Sequence, residues 1–296
     1  MSTFDLLSLW AMNVIWAGSY PAMAIAQMSF SASLLTLIRL GTGTLVMVPF
    51  LWHHARHWSG RSILQMMFLG VIGFSLPLVL QTQGLKDSTP AMAAISIALE
   101  PLITSLMGRI LLKQRLSPSR RWALVIAAFG AWAVAGFPRP GVRGYTRGDL
   151  LLLFSIMCFG VYNVYSSSLS RQLNPGQAVA GTFLGGFLGV LPIWFLSGVP
   201  WPRTIPTSSL LATLYLAFIG TALAYFLWMR TVARISVAAM ALFLYLQPVL
   251  GVVLSQLITP THVSGSFLVG SAAVLVALYM GRDKEKNAIS PVSSHT

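Results

Sequence analysis

Val71-Ile72-Gly73-Phe74-Ser75-Leu76-Pro77, running on to Ala98-Leu99-Glu100-Pro101, aligns without a gap on Phe218-Ile219-Gly220-Thr221-Ala222-Leu223-Ala224, running on to Tyr245-Leu246-Gln247-Pro248. The offset is constant at 147 residues, as between Pro101 and Pro248. Gly73 meets Gly220, Leu76 meets Leu223, Leu80 meets Leu227, Ala91 meets Ala238 and Ala94 meets Ala241. Each copy lies in apolar sequence and ends in a polar residue followed by proline. Such a repeat in an apolar chain is the mark of a membrane transporter built from two related halves.

The composition fixes the solvent. Of 296 residues, 56% are hydrophobic and 8% charged, against about 25% charged in an ordinary soluble domain. Mean hydropathy is +0.76. A chain this poor in polar groups belongs in a bilayer, where only helix bundles and closed barrels satisfy every backbone group. The apolar runs approach 20 residues and lack a period of two, so helices are expected and a barrel is excluded. The single cysteine, Cys158, allows no intramolecular disulfide. Met1 to Asp5 carries no positive segment, so the first apolar run is expected to be a retained helix.

Ten spans are expected, at about 6–26, 32–52, 62–84, 88–112, 118–137, 148–170, 176–197, 208–230, 235–258 and 263–281. Ser88 and Ser117 are expected as helix N-caps, with Pro118 in a first turn. The basic residues sit at span ends, not in a patch interleaved with aromatics, so the net charge of +13 is a topology signal and no nucleic-acid partner is expected. Arg56, Arg61, Lys113, Arg115, Arg120, Arg121, Arg171, Arg230, Arg234, Arg282, Lys284 and Lys286 fall on one side. Lys86, Arg139, Arg143, Arg147 and Arg203 fall on the other. The richer side holds both termini, which are therefore expected to be cytoplasmic in a multi-pass plasma-membrane protein, the inner membrane if the source is bacterial.

The offset carries the third and fourth spans onto the eighth and ninth. A step of five helices reverses direction, so the halves must be inverted copies. The expected fold is thus an all-α polytopic membrane protein of ten helices, two inverted five-helix repeats around a central cavity. Residues 1–137 form the first repeat, 138–147 the joining loop, 148–281 the second repeat, and 282–296 a polar, disordered cytoplasmic tail.

Glu100 is the one carboxylate well inside a span. Charges at that depth cost about 2.5–3.5 kcal/mol on insertion scales and turn toward a cavity or a partner. Pro101 deprives the Ile97 carbonyl of its helical donor, and Pro248 does the same to Leu244, so both are candidate hinges. Gly73, Pro77 and Gln81 share one helical face, with Gly220, Ala224 and Trp228 as mates. Asn13, Trp16 and Tyr20 share another, and Gly160 and Asn163 a third. Polar or small residues on one face of a membrane helix mark a packing seam or an aqueous cavity. The candidate substrate contacts are Asn13, Trp16, Pro77, Gln81, Glu100, Gly160, Asn163, Trp228, Tyr245 and Gln247. Arg39 and Arg109, the in-span cations, are expected to reach toward the span ends. Glu100 is not expected to be a required proton carrier, because its mate Gln247 cannot titrate.

Gly181, Gly185 and Gly189 permit close helix contact, expected within the bundle rather than between copies. No metal site is expected at His53, His54 and His57, and no cofactor. No nucleotide-binding loop, zinc-protease or hydrolase motif is present in the sequence, so an ATP-driven motor or an enzyme is not expected. The expected partners are a small-molecule substrate and membrane lipid, with the protein a monomer.

The chain resembles the EamA-type transporters of the drug/metabolite superfamily. Trp16-Ala17-Gly18-Ser19-Tyr20, Arg39, and the Glu100-Pro101 and Gln247-Pro248 pair carry the likeness, over roughly residues 6–281. Within that group it looks most like the YddG-type exporters of aromatic and other amino acids. The resemblance implies a basket of helices, with the first, third, fourth, sixth, eighth and ninth spans around the cavity, and export of small metabolites from the cytoplasm. Amino-acid export by alternating access is the leading expectation. Export of drugs, nucleosides or cationic metabolites is the alternative, and an intramembrane lipid-modifying enzyme a distant one.

Overall fold

The computed structural model describes residues 3–52, 58–88, 90–113, 116–134, 137, 147–235, 237–258 and 265–280. His53, His54 and His57, the loop 138–147 except Arg147, and the tail 282–296 lie outside the described residues. The helices are α1 (Thr3–Ala26), α2 (Ala32–Trp52), α3 (Gly60–Gly70), α4 (Leu76–Asp87), α5 (Pro90–Leu112), α6 (Pro118–Val134) and α7 (Arg147–Gln172). They continue as α8 (Pro175–Ser197), α9 (Thr207–Leu214), α10 (Ala224–Val232), α11 (Val237–Leu244), α12 (Leu246–Ile258) and α13 (Gly265–Met280). Two π-helical segments, π1 (Val71–Ser75) and π2 (Tyr215–Leu223), join α3 to α4 and α9 to α10. Among the described residues there is no strand. Among the described residues, five helices are long and apolar enough to cross a membrane by length and composition: Ala32–Phe50, Gly60–Asp87, Arg147–Gln172, Pro175–Ser197 and Thr207–Val232.

Local chemistry sets the ends. The Ser59 hydroxyl accepts from the Ser62 amide and starts α3. Asn174 caps α8 through the Gly176 amide, the Gln177 side chain returns a bond to the Asn174 backbone, and Pro175 supplies the preset first turn. The same helix stops at Gly198, whose φ of 63° is the left-handed cap that a side chain would strain. Ser117 caps α6 through the Arg120 amide, as expected. Ser88 follows the last turn of α4, and its hydroxyl donates to the Asp149 carboxylate.

The polarity is inside out relative to a soluble protein. Leu45, Phe195, Leu196 and Leu268 are exposed, while Asn13, Thr36, Arg39, Thr82, Thr104, Asn163, Ser166 and Thr221 are buried. Buried hydroxyls find local acceptors, as Thr36 does at Ala32 O (2.8 Å), Thr44 at Leu40 O (2.7 Å) and Thr231 at Leu227 O (2.8 Å). This is what a bilayer requires, since lipid offers no hydrogen bonds.

The glycines of α8 serve packing within the bundle. A Cβ on Gly181 would lie 2.0 Å from Met66 Sδ, on Gly185 2.7 Å from Met67 Cα, and on Gly189 2.7 Å from Ser75 Oγ. The mutual partner is Gly70, whose added Cβ would sit 2.4 Å from both Gly186 N and Thr182 O. The close approach brings the Ser75 hydroxyl to Gly186 O at 2.6 Å, so that α8 accepts a bond from π1. The remaining helices pair as α2 with α8, α6 with α13, α7 with both α4 and α5, and α1 with α10 and α12. A main core of Met12, Leu40, Met66, Phe74, Tyr162, Phe183 and Trp228 fills the centre, and a separate cluster binds α6 to α12 and α13.

Candidate functional site

Helices α1, α2, α4, α5, α7, α10, α11 and α12 meet around a central cavity of about 50 Å³. It is lined by Trp16, Ser19, Tyr20 and Met23 of α1, Arg39 of α2, Leu78 and Gln81 of α4, and Glu100 of α5. Phe159 and Asn163 of α7, Tyr225 and Trp228 of α10, Leu244 of α11 and Gln247 of α12 complete it. That volume holds water but no tryptophan-sized ligand, so a larger substrate enters only if helices part.

Three rings form one wall. The Trp16 ring lies 5.2 Å from Tyr225 and 5.7 Å from Trp228, both tilted. The indole N–H groups are tied back: Trp16 Nε1 donates to Gly220 O at 3.2 Å, and Trp228 Nε1 to Ser166 Oγ at 3.3 Å. Their polar edges are thereby satisfied, which leaves ring surface for an apolar ligand. Phe74 supports the wall from behind, 4.7 Å from Tyr225.

π2 supplies the fixings. A π segment displaces backbone groups from the regular ladder and recurs at functional positions. Gly220 O takes the Trp16 indole, Thr221 Oγ1 takes Arg39 Nε at 3.0 Å, and the Tyr215 hydroxyl donates to Ile15 O at 2.7 Å. π1 is pinned on the other side, with Gly73 against Tyr162. Arg39 is 3% exposed, so it does not reach an end; its other contact is from Nη1 to Met23 Sδ at 3.8 Å. Arg109 is exposed.

Of the ten residues that the sequence offered as contacts, Trp16, Gln81, Glu100, Asn163, Trp228 and Gln247 line the cavity. The other four are placed elsewhere. Asn13 is fully buried, with Nδ2 donating to Leu9 O at 2.7 Å. The Pro77 carbonyl accepts from Ser155 Oγ at 2.9 Å. Gly160 is the seam at which α7 meets Ile103 and Met107 of α5, and the approach lets Asn163 Nδ2 reach Thr104 Oγ1 at 3.2 Å. Tyr245 packs among Ala123, Leu124, Ala127 and Val274. α5 runs through Pro101 as one helix, whereas the chain breaks at Tyr245, three residues before Pro248. The lining residues Tyr225, Arg39, Phe159, Met23, Leu78, Leu244 and Ser19 are not among the expected contacts, nor is Tyr20, although it shares the face of Trp16. A spacing of three residues from Trp228 signals Tyr225, and a spacing of three from Gln81 signals Leu78.

Comparison with known proteins bears on what such a cavity serves. The model of the EamA-like transporter family matches residues 4–136 and 146–281. The chain belongs to the EamA-like transporter family. Membrane transport, not enzymatic catalysis, is the business of its named relatives, and the protein is a multi-pass membrane protein. The uncharacterized transporter YdeK of Bacillus subtilis is 27% identical over 275 residues, covering 91% of this chain and 93% of its own. A protein of Streptantibioticus cattleyicolor named as a probable terminal-alkyne amino-acid exporter is 25% identical over 257 residues, with 84% of each chain covered. A solved crystal structure, 20% identical, shares the fold with a TM-score of 0.77 over 95% of this chain and 97% of its own.

Proposed function

We propose that this EamA-family member exports amino acids from the cytoplasm, aromatic and large apolar ones foremost, as a secondary transporter working by alternating access. The observation that carries the reading is the make-up of the cavity. Trp16 and Asn163, Leu78 and Tyr225, Gln81 and Trp228, and Glu100 and Gln247 are each 147 residues apart, and all eight line it. A cavity built from equivalent positions of two halves is what an inverted repeat produces at its interface. The ten-span, two-repeat reading draws further support from the two matched stretches of the family model and from the π segments. Val71–Ser75 plus 147 falls inside Tyr215–Leu223. With the termini cytoplasmic, the α4 end at Asp87 faces outward. A small space of about 10 Å³ on that side shares Tyr20 and Gln81 with the central cavity. Gln81 Nε2 meets the Tyr20 hydroxyl at 3.5 Å, a weak bond suited to an outer gate.

A second reading, export of a cationic compound, is favoured by Glu100, which has no hydrogen bond or ion pair among the described residues. Arg39 in the same cavity opposes it. A growth screen separates the two. Cells that overproduce the protein should tolerate toxic analogues of phenylalanine; tolerance confined to cationic drugs would transfer the assignment to the second reading.

The proline positions give a further expectation. Pro101→Ala and Pro248→Ala each restore a backbone N–H where the helix now lacks one, and so stiffen the proposed hinges. Both should lower turnover severalfold with membrane insertion unchanged. Wild-type initial rates in both variants would remove the hinge role.

A further inference from the structure

Arg39 presents a problem of charge. It is 3% exposed and lines the cavity, yet its two hydrogen bonds go to a neutral hydroxyl and a thioether sulfur, which is a weak acceptor. Among the described residues no carboxylate lies within 4.0 Å of it; the ion pair there is Arg234 with Asp5. An Arg is held in a low-dielectric interior at large cost unless something anionic meets it. The remaining N–H donors of its planar fork match a carboxylate in geometry. The same cavity is lined by Glu100, the opposite charge, also without a hydrogen bond or ion pair among the described residues. If the two existed only to neutralise one another, they would be in contact. They are kept apart in a small space, beside a wall of rings.

We propose that this cavity recognises a free amino acid as a zwitterion: Arg39 takes the carboxylate, Glu100 takes the ammonium, and Trp16, Tyr225 and Trp228 receive the side chain. The proposal rests on the amino-acid reading above and deepens it. A phosphorylated or other anionic substrate would be repelled by Glu100, and a bare cation by Arg39. A neutral ligand would leave both charges unmet. A zwitterion meets both, and the two charges then report on the presence of both backbone groups, so that peptides and decarboxylated amines are rejected. Tethering of Arg39 Nε to Thr221 in π2 fixes the guanidinium, and the Met23 contact sets its orientation. Arg39 and Glu100 both lie in the first matched stretch, and at the 147-residue offset they meet the uncharged Gly186 and Gln247, so the charge arrangement breaks the pseudo-symmetry and gives the ligand one orientation.

The test uses three compounds that share a ring and differ in charge: phenylalanine, phenethylamine and 3-phenylpropionate. Each competes with labelled phenylalanine for the purified wild-type protein. Both single-charge analogues should compete at least about tenfold more weakly than phenylalanine, as follows from losing one charged hydrogen-bonding partner. In Arg39→Gln the gap between phenylalanine and phenethylamine should close, and in Glu100→Gln that between phenylalanine and 3-phenylpropionate. Arg39→Lys keeps the cation and should keep the discrimination against phenethylamine. Competition by either analogue equal to that of phenylalanine in the wild type overturns the zwitterion proposal while leaving the amino-acid reading intact. Failure of the wild type to bind phenylalanine, methionine and threonine alike overturns both. The wild-type arms decide the matter even where a variant does not fold.

Discussion

Trp16→Ala will weaken transport of aromatic amino acids by roughly tenfold or more, with the protein still inserted and monodisperse. The indole is half-buried, packs on Tyr225 at 5.2 Å and Trp228 at 5.7 Å, and lines the cavity. Removing it takes away ring contact worth about 0.5–1.5 kcal/mol beyond area burial, together with the buried area itself, and 1.4 kcal/mol is a factor of ten. The loss should fall on KM for phenylalanine more than for threonine, which has no ring to stack. Trp228 is a less clean choice. It is 1% exposed and belongs to the main core, so its truncation also costs about 3–5 kcal/mol of stability. Kinetics of phenylalanine and threonine on Trp16→Ala, read beside size-exclusion profiles, check the claim. Unchanged KM for both in a folded variant would place Trp16 outside the substrate path.

Gly70→Ala will destabilise the bundle strongly. The new Cβ would stand 2.4 Å from Gly186 N and Thr182 O, which are backbone atoms of α8 and cannot swing aside. The helices must separate, which costs about 1–3 kcal/mol and weakens the bond from Ser75 Oγ to Gly186 O. Thermal unfolding in detergent should begin several degrees lower. Gly251→Ala is the control, since a Cβ there meets nothing within 4 Å. Equal stability of the two variants would show that the contact between α3 and α8 is loose enough to admit a methyl group.

The sequence exposed the cavity positions that fall on the 147-residue alignment, because a repeat marks equivalent positions without any structure. Gln81 with Trp228 and Glu100 with Gln247 came from the alignment directly. Helical period grouped Trp16 and Tyr20, which line the cavity, with Asn13, which lies one turn earlier and bonds to Leu9 O instead. Gly73, Pro77 and Gln81 share a face only in a regular helix. The π turn at Val71–Ser75 alters that register: Gly73 faces Tyr162, and Leu78 joins Gln81 at the cavity. No residue pattern announced either π segment. From sequence alone Arg39 is a long chain free to reach an end; the Thr221 hydroxyl that holds it inside lies far away in sequence, where periodicity gives no signal. Tyr245, adjacent to Leu244, points into the cluster of α6 and α13 because the chain breaks at that residue.

Counterflow in proteoliposomes tests the central claim most directly. Vesicles loaded with unlabelled phenylalanine are diluted into labelled phenylalanine, and the label inside is followed in time. The account predicts a transient overshoot of label above equilibrium, abolished by omitting the internal phenylalanine. Uptake indistinguishable from protein-free vesicles, with no overshoot for phenylalanine, methionine or threonine, would contradict it.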